Sequence, residues 1–173
     1  FTTNVAVGGL TDMLCGAHRA GHFDGVATVV SKLFLQTSAD KAFFGEKDYQ
    51  QLQIVRRMAG DLDIPIEVVG CPTIREMDGL AMSSRNLLLS DRARTKASVL
   101  EDMRVALEGG ALMSDIADGA SAKITAGGFN EIEYLELRDG QNLKILDQAK
   151  AGSRLFAAAW LAGVRLIDNI KIG

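Results

Sequence analysis

Lys47 and Asp48 follow Gly45 and Glu46 in the run FFGEKDYQQL, residues 43–52, where an apolar segment hands over to an amphipathic one. A glycine lets a ligand approach the backbone, and a lysine neutralises phosphate as a point charge. An aspartate can cap a helix and accept a ribose hydroxyl. Beyond the carboxyl end of a strand, this set of groups suits a nucleotide. The same four residues also read as a plain capped helix with solvated charges. A second cluster, MSSRN at residues 82–86, puts the hydroxyls of Ser83 and Ser84 beside Arg85, whose forked donors grip an anion in a way a lysine cannot. Its plain alternative is a serine-rich turn ahead of a helix. Gln51 lies one turn beyond Lys47 and Asp48, so its amide can face the same mouth and suits a neutral hydroxy acid; most such glutamines are simply solvated.

Other polar groups offer less. His18 and His22 are four apart, but Gly21 between them argues against a helix, and loop histidines with structural hydrogen bonds are expected. A four-ligand zinc site would consume both histidines together with Cys15 and Cys71, so no metal site is expected.

The elements that must position these groups follow from periodicity. Residues 1–6 (FTTNVA) read as a strand, and a short helix is expected from Thr11. Residues 24–37 place Val26, Val29, Val30, Leu33 and Phe34 at helical spacing, which on the plain reading makes the valines core. KAFFG reads as an interior strand, the segment from Lys47 to Leu62 as a helix carrying Leu52, Ile54, Val55 and Met58, and IPIEVVGC as a second buried strand. That is the parallel α/β rhythm. After Pro72 the pattern changes. A helix capped by Ser90 or Asp91 should run to Glu108 and another from Met113 to Ala126, each stopped by a glycine pair. Three β-like runs follow, the last two forming a hairpin at Gly163. The expected organisation is residues 1–73 as part of an α/β domain and 74–173 as a small α+β domain.

The 173 residues are 47% hydrophobic and 24% charged, which excludes wholesale disorder. A formal net charge of −3, with both signs well mixed, gives no field that would gather nucleic acid or an anionic membrane. The apolar runs are too short to span a bilayer, and two cysteines make no disulfide scaffold, so a cytoplasmic setting is expected. The sequence opens on Phe1 and reads as a piece of a longer chain.

RAGHFDGVATVVSKLF, FFGEKDYQQLQIVRRM, VVGCPTIREMDGLAMSSRN and AAWLAGVRLIDN together resemble the pantothenate synthetase (pantoate:β-alanine ligase) family along essentially the whole sequence. The resemblance implies the second half of a Rossmann-like nucleotidyltransferase sheet followed by an α+β lid domain. It also implies an ATP-dependent, Mg²⁺-assisted ligase that forms pantoyl adenylate and passes the pantoyl group to β-alanine, acting as a homodimer. By that likeness Gly45, Glu46, Lys47, Asp48, Ile74, Met82, Ser83, Ser84 and Arg85 belong to the ATP site. Lys47 would lie on phosphate, Asp48 near the ribose, and Ile74 and Met82 by adenine. Lys47, Ser83, Ser84 and Arg85 would stabilise the transferring phosphate. Gln51 would hold pantoate, and Val26, Val29 and Val30 would wall its pocket.

The sequence departs from the family pattern in two ways. Asp24 stands where a basic residue is expected, and neither the HxGH-type pattern nor the family's further pantoate-binding glutamine occurs. A carboxyl-terminal portion with little activity of its own is therefore expected. Two other readings stay open: a nucleotidyltransferase for another acid or an alcohol, and a non-catalytic nucleotide-binding or oligomerisation module.

Overall fold

Leu52, Ile54, Val55, Met58 and Ala59 line one side of a helix, and all five are buried there. The computed structural model containing that helix describes residues 2–77, 79–88 and 99–173. It divides into two units, Phe1–Pro72 and Thr73–Gly173.

In the first unit, α1 (His22–Thr37), β1 (Lys41–Gly45), α2 (Tyr49–Asp61) and β2 (Glu67–Cys71) follow in order. The strands pair in parallel from Lys41↔Glu67 to Gly45↔Cys71, with α2 as the crossover. Phe44 meets Phe34 of α1 edge to face at 6.3 Å, which ties one face of the sheet to that helix.

Several expectations fail in this unit. Residues 2–6 form no strand: the Val5 N–H donates to Thr28 Oγ1 (2.8 Å), and that hydroxyl donates to Asn4 Oδ1 (2.8 Å). A helical side chain thus satisfies a backbone N–H that a β ladder was expected to pair. No helix starts at Thr11; the segment is a series of turns in which Leu14 has φ 48°. A Cβ on Gly16 would lie 1.7 Å from the Thr11 carbonyl oxygen, so only glycine fits that fold-back. The buried stripe of α1 is Phe23, Ala27, Thr28, Ser31 and Phe34, while Val29 and Leu33 are each 50% exposed. Small residues let the helix sit close to its neighbours, while Val29 faces outward and Val26 and Val30 are half-buried. KAFFG is likewise not interior on both faces: Phe44 packs, and Phe43 on the opposite face is 67% exposed.

The second unit contains α3 (Val99–Glu108), α4 (Met113–Ala126), β3 (Glu131–Asp139), β4 (Ser153–Leu161) and β5 (Val164–Lys171). The cap expected at Ser90 or Asp91 lies outside the described residues. The strands form an antiparallel sheet in the order β3-β4-β5, and both helices pack on the face carrying Leu137, Leu155 and Ala159. The expected hairpin forms, with Ala162 (φ 50°) joining Gly163 (φ 79°) in a two-residue turn.

The loop after β3 is tied by Asp139. Its carboxylate meets Lys150 Nζ at 2.7 Å and accepts the N–H groups of Gln141 (2.8 Å) and Asn142 (3.1 Å). The Lys150 ammonium first, then those N–H groups, hold the carboxyl at about 2, below its ordinary 3.8. A carboxyl depressed in the folded state adds stability above its ordinary pKa and loses it as pH falls toward the folded value. Asp139→Asn is therefore expected to melt below the parent at about pH 6, with the gap closing by about pH 2. Thermal melts across that range check it, and a gap of unchanged size at low pH counts against the linkage.

Candidate functional site

The first group of candidate residues sits where β1 ends. Gly45 is extended (φ −66°, ψ 132°), Glu46–Asp48 form a single 3₁₀ turn, and α2 begins at Tyr49. A Cβ on Gly45 would meet nothing within 4 Å, so its backbone faces open space that a ligand can enter. Lys47 and Glu46 are half-buried, and Asp48 is exposed. Asp48 occupies the N-cap position of α2 but makes no side-chain capping bond, contrary to the capping role expected for it. Its carboxylate is thus not committed to the helix end. Behind the turn, a Cβ on Gly70 would lie 3.0 Å from Leu52 Cδ2, 3.1 Å from Arg56 Nη2 and 3.3 Å from Glu46 Oε1. The missing side chain lets α2 and Glu46 close onto β2.

Gln51 is half-buried, four residues beyond Lys47 on the same run. Val26 and Val30 are half-buried and Val29 is exposed. Val29 therefore lies on the outward side of α1 and Val26 and Val30 on its flanks, so none of the three belongs to the fully buried core that the plain reading assigned them.

Ile74, Met82, Ser83, Ser84 and Arg85 belong to the second unit, so this group is described within it. Residues 74–77 and 79–82 pair as a small hairpin. The Met82 N–H donates to the Ile74 carbonyl (2.9 Å), Arg75 bridges to Ala81, and Gly79 turns at φ 86°. Ile74 (70% exposed) and Met82 (56% exposed) are thereby brought side by side as apolar surface. Ser83 Oγ accepts the Arg85 N–H at 3.2 Å, and the Arg85 guanidinium reaches the Arg165 carbonyl at 3.4 Å. Ser84 and Arg85 are exposed, which leaves a hydroxyl and a guanidinium at the surface of one short turn.

Sequence reasoning missed three supports. Gln50, 5% exposed, donates to the Leu10 (2.8 Å) and Met13 (2.7 Å) carbonyls and accepts the Cys15 N–H (3.0 Å), clamping the preceding loop to α2. Its spacing of four and eight from the buried Ile54 and Met58 was the available signal. Arg75 pairs in a forked manner with Asp168 (2.7 and 3.0 Å) and also donates to the Gly79 and Asn169 carbonyls, which seats the hairpin on β5. The third, Asn86, joins the turn to the hairpin. Among the described residues, no group of three or more His, Cys, Asp or Glu side chains could hold a metal ion, and no helix is long and apolar enough to cross a membrane.

A family model described as pantoate-beta-alanine ligase matches residues 1–171. A pantothenate synthetase of Roseobacter denitrificans is 66% identical over 99% of the chain, and one of Ruegeria pomeroyi is 57% identical over the same share. The chain spans 62% of the length of each. The crystal structure of pantothenate synthetase from Thermus thermophilus superposes with a TM-score of 0.88 at 45% identity, covering 99% of this chain and 64% of that one. The pantoate-beta-alanine ligase of Francisella tularensis, solved in complex with beta-gamma ATP and beta-alanine, gives 0.72 at 29% identity, covering 98% of this chain and 58% of that one.

Proposed function

The chain belongs to the pantoate–beta-alanine ligase family, and from that membership we propose that it is part of an ATP-dependent ligase joining pantoate to β-alanine. The observation that carries this reading is the placement of Gly45–Asp48: a lysine and an uncommitted carboxylate at the carboxyl end of a parallel strand, opening onto a helix start. Pantoate's carboxylate attacks the α-phosphorus of ATP, the bond to the pyrophosphate oxygen breaks, and pantoyl adenylate forms. The amine of β-alanine then attacks the acyl carbon, AMP leaves with the bonding electrons, and the amine proton passes to solvent.

Lys47 and, in the second unit, Ser83, Ser84 and Arg85 stabilise charge on the phosphates. Asp48 accepts a ribose hydroxyl, Glu46 lies at the same turn, and Ile74 and Met82 offer adenine an apolar surface. Gln51 holds pantoate, against a wall of Val26, Val29 and Val30. Mg²⁺, where it joins the reaction, would be held chiefly by the nucleotide phosphates and would supply charge neutralisation there, beside Lys47. The cytoplasmic setting and the homodimer carry over from the family resemblance.

The 173-residue polypeptide alone is expected to show little turnover, since no HxGH pattern occurs in it. The test is pantoate-dependent ATP–pyrophosphate exchange, alongside calorimetric titration with ATP and Mg²⁺. Both are made on this polypeptide and on a chimera completed with the part of the Roseobacter relative that it does not span. Exchange by the chimera only is expected. Exchange supported by other acids but not by pantoate would move the assignment to a different nucleotidyltransferase. A chimera that binds no nucleotide would sink both enzyme readings and leave a non-catalytic module.

A further inference from the structure

We propose that Asn86 is the positioning residue for the Ser83–Arg85 turn, latching it to the hairpin of residues 74–77 and 79–82; its relevance to phosphate rests on the role given to that turn above. Asn86 is 3% exposed although Arg85, Leu87 and Leu88 around it are all exposed. The chain therefore turns a polar side chain inward at the point where neighbouring apolar ones face water. Both amide hydrogens are used: Nδ2 donates to Glu76 Oε1 at 2.7 Å and to the Ala81 carbonyl at 3.0 Å. The Asn86 backbone N–H donates to the Ser83 carbonyl at 3.0 Å, so one residue closes the turn on itself and fastens it to the hairpin.

The other end of the amide explains why the donors matter. Oδ1 is buried and has no hydrogen-bond partner among the described residues. An unmet buried acceptor is unfavourable, and an apolar side chain of similar size would avoid it. A carboxylate would set two like charges against each other at Glu76. Of residues this size, asparagine supplies two donors in one plane without charge, and these are what the site uses. Glu76 belongs to a hairpin already seated on β5 by the forked Arg75–Asp168 pair. The latch therefore ties an exposed hydroxyl and guanidinium to a rigid sheet, which fixes their geometry before an anion arrives.

Two variants test the latch. Asn86→Asp keeps the shape but removes both donors and opposes the Glu76 carboxylate. Combining it with Glu76→Gln swaps the two groups, so that an amide at position 76 donates to a carboxylate at position 86. Amide hydrogen exchange, read by NMR in the 173-residue chain, is expected to quicken about tenfold at Met82 and Arg85 in the single variant, as fits loss of a hydrogen bond to a charged group. Core amides such as Leu137 and Leu155 should keep the parent rate, which a general loss of stability would not allow. The swap should bring Met82 and Arg85 back to within about threefold of the parent.

In the completed ligase, the single variant should lower kcat about tenfold with the KM for pantoate unchanged, and the swap should restore it. Parent-like hydrogen exchange in Asn86→Asp, or a swap that recovers nothing, overturns the latch. The expected hydrogen-exchange pattern in a chimera that never turns over ATP supports the latch and overturns the ligase reading.

Discussion

Replacing Lys47 by alanine is expected to lower pantoate-dependent ATP–pyrophosphate exchange by the completed ligase about 10²–10³-fold, the loss typical when one preorganised donor to a developing anion is removed. The side chain leaves the short turn between β1 and α2, where helix-start N–H groups already favour negative charge, and the lysine adds a full positive charge beside them. Because the charge on the phosphate grows as the carboxylate attacks, the effect should fall on kcat more than on the KM for pantoate. Lys47→Arg keeps the charge but changes its shape and reach, so partial activity is expected. Lys47 is half-buried on a turn rather than in the core, and the melting temperature of the alanine variant should stay near the parent's. Exchange within twofold of the parent would remove the observation on which the ligase reading stands.

Gln50→Met is expected to cost about 2–4 kcal/mol of stability, the largest effect on folding of the substitutions considered. The replacement matches the glutamine in length, so little packing is lost, but three hydrogen bonds to Leu10, Met13 and Cys15 disappear in a buried place. Urea unfolding reads this as a lower midpoint. Gln51→Met, one residue along but only half-buried, should unfold within about 0.5 kcal/mol of the parent while impairing pantoate binding. Equal midpoints for the two glutamine variants would show that the loop of residues 10–15 is not held by Gln50.

The contrast between those neighbours shows what was readable in the sequence. GEKD and SSR are local runs whose candidate chemistry follows from residue type alone, and α2, α4 and the β4–β5 hairpin announce themselves by period and by the glycines at their ends. The buried face of α1 was misread because valines outrank Ala27, Thr28 and Ser31 on any hydrophobic scale, whereas close packing selected the small residues. Residues 2–6 looked like a strand because threonine and valine favour one, and no local pattern shows that Thr28 will take the hydrogen bonds instead. Arg75 and Asp168 stand 93 positions apart, so their pairing is a property of the fold and is invisible to any window along the chain.

The two sheets also differ in how their strands can find each other. β4 and β5 are joined by a two-residue turn, so a search confined to Ser153–Lys171 is enough to zip them together, on the microsecond scale of isolated hairpins. β1 and β2 run parallel and cannot meet until α2 has formed or at least collapsed between them, which makes their pairing a late, entropy-limited step. A chain emerging amino end first therefore exposes the slow pair before the fast one exists. Its window of vulnerability to misassembly lies in the segment that carries Lys47.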